Sequence, residues 1–86
     1  MKDLKLFILI NCPYCQQALK YIEELQQEEK YRDIKYQLID ERKEKALADS
    51  YDYYYVPTFY LDEQKVHEGI VSKEQVQAIF DQALNH

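Results

Sequence analysis

The spacing of apolar residues changes along the chain, and each change marks an element. Leu4 to Ile10 is almost continuously apolar, which predicts a central strand covered on both faces. Beyond Asn11-Cys12-Pro13-Tyr14-Cys15 the period becomes helical. Cys15, Ala18, Leu19, Ile22 and Leu25 share one stripe, and Gln16, Lys20, Glu23, Glu24 and Gln27 occupy the other face. This helix is predicted to run to about Lys30. Ile34, Tyr36 and Leu38 alternate with Lys35 and Gln37, predicting a second strand that ends near Asp40. Glu41 to Asp49 holds good helix formers with Ala46, Leu47 and Ala48 as its apolar members, so a short helix with a narrow buried face is expected. Thr58 to Leu61 is rich in β-forming residues, Asp62-Glu63-Gln64 suits a turn, and Lys65 to Glu68 can return as an edge strand. Ser72 and Gln75 have the spacing of a capping box, opening a last helix on the stripe Val76, Ile79, Phe80 and Ala83.

The predicted order is β-α-β-α-β-β-α, an α/β fold. The first two strands are joined through a helix and should be parallel; the last two form an antiparallel hairpin. A four-stranded mixed sheet with helices on both faces follows. No repeat, linker or low-complexity tract interrupts the 86 residues, so a single domain over 1–86 is expected.

Composition narrows the partners. Apolar residues make up 47% and charged residues 31%, as in an ordinary globular chain, which argues against disorder. The net charge of −5 and the lack of a basic stripe argue against a nucleic-acid partner. Leu6 to Ile10 is too short to cross a bilayer and lacks a signal-peptide cleavage pattern, so no membrane association and a cytoplasmic location are expected. The two cysteines lie close together, whereas a disulfide-stapled secreted domain would spread more of them along its length.

The pair Cys12 and Cys15 stands where the buried strand meets the helix. A helix N-terminus offers unpaired N–H groups and the positive end of a dipole, so the Cys12 thiolate is favoured and its pKa is expected below the free value of about 8.5. Pro13 suits the first helical turn, which needs no amide hydrogen there. Cys15 falls on the apolar stripe and should be the more buried sulfur. Cys12 is thus the expected nucleophile and Cys15 the thiol that attacks Cys12 in turn. The other readings are a half-built zinc site, for which His67 and His86 are the remaining nitrogen donors, or two inert structural cysteines. No metal is expected.

Pro57 opens the third strand. On its own, the plainer reading is a trans proline at a strand start; an X–Pro bond can also be cis. Tyr51, Tyr53, Tyr54 and Tyr55 precede it. Alternation would bury some and expose others, and an exposed one could stack on a substrate backbone. Tyr14, between the cysteines, is the stronger candidate for substrate contact. His67 is read as a surface residue.

Together, Cys12-Pro13-Tyr14-Cys15, the length, the strand order and Tyr51-x-Tyr53-x-x-Val56-Pro57-Thr58 resemble the thioredoxin superfamily, and within it the glutaredoxins. The resemblance runs from Leu4 to Leu84. It implies a thioredoxin-like fold and a dithiol–disulfide oxidoreductase reducing protein or glutathione mixed disulfides. It further implies that Pro57 is cis and faces the cysteines, with the Val56 backbone offered to the substrate. Gly69 matches one glycine of the family's glutathione-binding segment.

No bound cofactor is implied; glutathione is the co-substrate, disulfide-containing proteins are the partners, and a monomer is expected. The chain departs from the family at Leu9, where a lysine is common, and at Glu68 and Ser72 in the glycine-rich segment. A lost cation and an added carboxylate should weaken glutathione binding, with Arg42, Lys43 or Lys45 able to compensate in part. The alternatives are a redoxin recharged by a thioredoxin-reductase-type flavoenzyme, and a module binding an iron–sulfur cluster.

Overall fold

The computed structural model describes residues 1–85; His86, considered above as a zinc ligand, lies outside the described residues. The first strand, β1 (Leu4–Ile8), is flanked by strands on both edges and covered on both faces. It pairs in parallel with β2 (Gln37–Asp40) and antiparallel with β3 (Thr58–Leu61). The outer strand β4 (Gln64–Glu68) pairs antiparallel with β3, giving the order β2-β1-β3-β4. This is the four-stranded mixed sheet expected.

Alternation along β1 divides the core into two layers. Leu4, Leu6 and Ile8 face α1 (Pro13–Leu25) and α3 (Lys73–Leu84), meeting Cys15, Ala18, Ile22 and Leu25 from the first helix and Val76, Ile79, Phe80 and Ala83 from the last. Phe7 points the other way, into a smaller cluster with Ile39, Tyr60 and Ala48 of α2 (Lys45–Asp49). Helices therefore cover both faces. Each wholly buried side chain of this kind contributes about 1.5–3 kcal/mol relative to exposure.

Several boundaries differ from those read off the pattern, each for a physical reason. β1 stops at Ile8, and Ile10 is exposed in the turn that follows. α1 stops at Leu25, because the next positions on its stripe, Glu28 and Glu29, have nothing apolar to bury. Gln26 closes it by donating its side-chain amide to the Ile34 carbonyl at 2.8 Å. A separate 3-10 turn, Glu29–Tyr31, then delivers Tyr31 to the core, its ring 5.6 Å from that of Phe80. β2 starts at Gln37 instead of Ile34, with Ile39 buried and Leu38 exposed. The alternation holds ahead of the strand, where Ile34 is buried in the main core and Tyr36 packs against it. It fails at Leu38, because an edge strand is covered only in part.

The β3–β4 hairpin turns through Asp62 and Glu63, both at positive φ (48° and 69°). Two left-handed residues are what a two-residue turn needs to match strand twist, though glycine or asparagine usually supplies them. Here side chains hold the tip. Asp62 accepts the Asp3 N–H at 2.9 Å, and Lys5 bridges Glu63 at 2.8 Å and also pairs with Asp3.

At the start of α3 the capping box forms as read. The Ser72 hydroxyl accepts the Gln75 N–H at 3.1 Å, and the Gln75 side chain accepts the Ser72 N–H at 2.9 Å. Among the described residues no helix is long and apolar enough to cross a membrane. Replacing Ser72 with alanine is expected to cost about 1 kcal/mol, seen as a lower urea midpoint with unchanged slope. Phe59→Ala, removing a wholly buried ring, should cost about 3–5 kcal/mol in the same titration.

Candidate active site

The end of β1 is held from two sides. The Ile8 carbonyl accepts the Glu41 N–H at 3.0 Å, and the Leu9 carbonyl accepts the Cys12 N–H at 3.1 Å. The chain turns at Ile10 and Asn11, where the Gln16 side chain donates to the Ile10 carbonyl at 3.1 Å. Cys12 then takes the N-cap position of α1 in an extended conformation (φ −83°, ψ 118°), and its Sγ accepts the Cys15 N–H at 3.3 Å. A sulfur thus occupies the place usually held by a serine or aspartate oxygen. An N–H at the positive end of a helix is a fitting partner for negative charge on that sulfur. Pro13 fills the first helical position, and Tyr14 stands outward, 53 % exposed.

The two sulfurs differ sharply. Cys12 is half-buried and Cys15 is wholly buried; both are free thiols. Burial pushes the Cys15 thiol up to about 12. A backbone hydrogen bond with Leu9 acts in the opposite direction, while the contact with Cys12 and the negative charge of Glu41 add to the rise.

The Val56–Pro57 bond is cis, as the resemblance implied and against the plainer reading of an isolated proline. Pro57 is buried, while Val56 and Cys12 are half-buried and border the same core cluster. The loop ahead of Pro57 is fastened at several points. The Tyr54 and Tyr55 N–H groups both donate to Oε2 of Glu68, the second at 2.9 Å. The Thr58 hydroxyl donates to the Tyr55 carbonyl, and the Gly69 N–H donates to the Pro57 carbonyl at 2.8 Å. Gly69 sits at φ +91°, a left-handed position that suits glycine.

Glu68 is therefore not an open charge. Its Oε1 is 2.8 Å from the Lys65 ammonium. Lys65, then the two amides, hold its carboxyl down at about 2. The cations named on the second helix are also differently disposed. Arg42 and Lys43 precede α2, and Lys45 within it pairs with Asp49 at 2.9 Å.

The tyrosines divide. Tyr51 and Tyr53 stack on Phe7, with ring centroids 4.8 and 5.0 Å away, and bond through their hydroxyls to Glu63 and Glu41. Tyr54 and Tyr55 point outward, 85 % and 70 % exposed. His67 is more than a surface residue: it is half-buried, lies edge-on to Phe59 and bonds through Nε2 to the Ile70 carbonyl at 2.8 Å. Among the described residues no group of three or more His, Cys, Asp or Glu side chains could hold a metal ion.

Sequence reasoning brought forward Cys12, Cys15, Tyr14, Val56, Pro57 and Gly69, and the fold gathers Cys12, Cys15 and Val56 around one cluster and ties Gly69 to Pro57. It missed Glu68 and Thr58 as the groups that fasten the loop. A carboxylate at a strand end carries no local signal of which amides it will meet, so nothing in the linear pattern marks it.

A family model described as a thioredoxin domain matches residues 2–81. No curated protein sequence matches the chain. Among solved structures, a malarial protein is similar at 20% identity with a TM-score of 0.75, covering 98% of each chain. A mutant thioredoxin from Halobacterium salinarum is similar at 24% identity and TM-score 0.72, covering 99% of this chain and 76% of that one. A mutant of a thioredoxin-like protein matches at 23% identity and TM-score 0.65, over 96% of this chain and 100% of that one. At these identities the structural likeness speaks for the fold alone. The family match is different in kind: it takes in both cysteines, the cis proline and Glu68, and the chain belongs to the thioredoxin-domain family.

Proposed function

We propose that the protein is a dithiol–disulfide oxidoreductase of the glutaredoxin type, reducing protein or glutathione mixed disulfides through Cys12 and Cys15. The observation that carries this reading is the asymmetry of the two sulfurs. Cys12 is reachable and receives an N–H at a helix start, while Cys15 is sealed one turn further on and held as a neutral thiol.

In the first step the Cys12 thiolate attacks one sulfur of a substrate disulfide. That S–S bond breaks, the departing sulfur leaves as a thiolate and takes a proton from water, and a mixed disulfide remains on Cys12. Cys15 then attacks the Cys12 sulfur. Its proton passes to the leaving substrate sulfur, the mixed disulfide breaks and a Cys12–Cys15 disulfide forms. Two electrons have moved from the enzyme dithiol to the substrate. Keeping Cys15 protonated until this point suppresses its reaction with other partners, because the thiolate is the attacking species.

The Val56 backbone, next to cis Pro57, serves as the platform on which the disulfide-bearing strand is laid, with Tyr14 and Gly69 at its margins. The proposed setting is the cytoplasm, with disulfide-containing proteins as substrates and a monomeric enzyme. Glutathione is the proposed electron donor. The pairing of Glu68 with Lys65 supports this, since it removes much of the repulsion an unpaired carboxylate would exert. A flavoprotein reductase is the second reading, favoured by the apolar Leu9 where a glutathione-binding lysine would be expected and by membership of the thioredoxin-domain family.

Turnover of a glutathione mixed disulfide is the test, run with glutathione and its reductase and, separately, with a thioredoxin-reductase system. Cys12→Ser should lower the rate by roughly a hundredfold or more, and Cys15→Ser should accumulate the mixed disulfide with a protein substrate. Activity with glutathione supports the glutaredoxin reading; activity with the flavoprotein system alone supports the second. Inactivity in both systems would refute the proposal.

A pH experiment follows from Cys15. A thiol with its pKa raised to about 12 is ionised at only roughly one part in a hundred even at pH 10. Iodoacetamide at pH 7.5 is therefore expected to give a single adduct by mass spectrometry, on Cys12. A second adduct would appear only in strong alkali or on unfolding.

A further inference from the structure

The loop 54–57 is tied on both sides of Val56. Glu68 occupies the N–H groups of Tyr54 and Tyr55, the Thr58 hydroxyl occupies the Tyr55 carbonyl, and the Gly69 N–H occupies the Pro57 carbonyl. Val56 is the residue of this loop whose N–H and C=O both lack a partner among the described residues. Proline 57 has no N–H to offer. The ties are therefore arranged around the peptide groups that would receive an incoming strand.

Two of the ties come from one atom. Oε2 of Glu68 accepts two consecutive amides, while Oε1 faces Lys65 at 2.8 Å. The Glu68 side chain is only 20 % exposed, so the carboxylate is partly shielded from competing water. A charged acceptor in such a place makes a stronger hydrogen bond than a neutral one, and loss of the acceptor would leave two N–H groups to seek water. β4 delivers Glu68 to the loop because Thr58 and Glu68 are cross-strand partners at its end. The free energy of β3–β4 pairing thus also fixes the segment that precedes Pro57.

We propose that Glu68 is a positioning residue: by holding the Tyr54 and Tyr55 amides it fixes Val56 so that an extended disulfide-bearing peptide can pair with its backbone. Glu68 itself touches no reacting atom. Its effect is on the docking of a peptide strand, and small thiol reagents that need no docking are indifferent to it. This inference rests on the oxidoreductase reading above.

The geometry separates acceptor from charge. Glutamine at 68 keeps one oxygen able to receive both amides and loses the ion pair, whereas Lys65→Ala removes the ion pair and leaves the acceptor in place. The probe is a synthetic peptide with one cysteine disulfide-linked to thionitrobenzoate, whose release is followed by colour. Whichever reducing system above supports turnover returns the Cys12–Cys15 disulfide to the dithiol, and release without enzyme is subtracted. Alkylation of Cys12 by iodoacetamide is measured alongside. Glu68→Ala is expected to raise KM for the peptide about tenfold, with kcat within about twofold and the alkylation rate unchanged. Glu68→Gln should recover most of that loss, and Lys65→Ala should stay close to wild type.

An unchanged KM in Glu68→Ala would overturn the proposal. So would a parallel fall in kcat and alkylation, which is the mark of general damage, or a Glu68→Gln variant as impaired as the alanine. If Glu68→Ala does not fold, Thr58→Val removes the neighbouring tie at nearly constant volume and must raise KM in the same way. If the wild type fails to turn over the peptide, the oxidoreductase reading falls and this inference with it; an active wild type with an insensitive Glu68 sinks the inference alone.

Discussion

The burial of β1 on two faces and two edges is the constraint from which the rest of the molecule follows. Leu4, Leu6 and Ile8 lock α1 and α3 to one face, Phe7 organises the tyrosine cluster on the other, and β2 and β3 take up the edges. A strand held this way has a fixed end. The turn leaving it carries Cys12 to the start of α1, and the same helix is anchored by Cys15, Ala18, Ile22 and Leu25. The two sulfurs are thus set by core packing, in which Cys15 takes part, together with the Cys15 N–H that the Cys12 sulfur accepts.

That packing also divides their environments. The N-cap position lies at the rim, where a helix presents N–H groups that no carbonyl can reach, and Cys12 fills one of those vacancies with its sulfur. One turn later the helix has entered the apolar layer, and Cys15 is desolvated along with its neighbours. The proline between them costs no hydrogen bond at that location, whereas deeper in the helix it would. Sequence spacing of three residues is enough to put chemically similar groups in unlike settings.

The opposite wall of the site is built by charge and backbone polarity more than by apolar packing. Tyr51 and Tyr53 anchor the loop on Phe7, but its final approach to Pro57 is fastened by Glu68, Thr58 and Gly69. In an acidic chain an unpaired carboxylate beside the loop that leads to Pro57 would be a liability. Pairing with Lys65 and two amides converts it into a structural acceptor. The exposed Tyr54 and Tyr55 rings are left outside, free of the core.

The linear pattern was sufficient for the features that depend on periodicity and local chemistry. Element order, the α1 and α3 stripes, the Ser72–Gln75 cap and the rank order of burial for Cys12 and Cys15 all come from neighbours a few residues apart, and these agree with the structure. The cis state of Val56–Pro57 was legible only through family resemblance, since an X–Pro bond taken alone favours trans. The shortened β2, with Ile39 and not Leu38 buried, reflects how little of an edge strand the helices cover, which no single strand records. The same holds for Glu68, which from sequence looked like an anionic intruder. Although Lys65 lies only three residues away on its own strand, the pairing of β4 with β3 decided that Glu68 would meet the amides of residues 54 and 55. Periodicity reports which face a residue takes within its own element; which partner stands opposite is fixed by contacts between residues far apart in the chain, and those exist only once the sheet has closed.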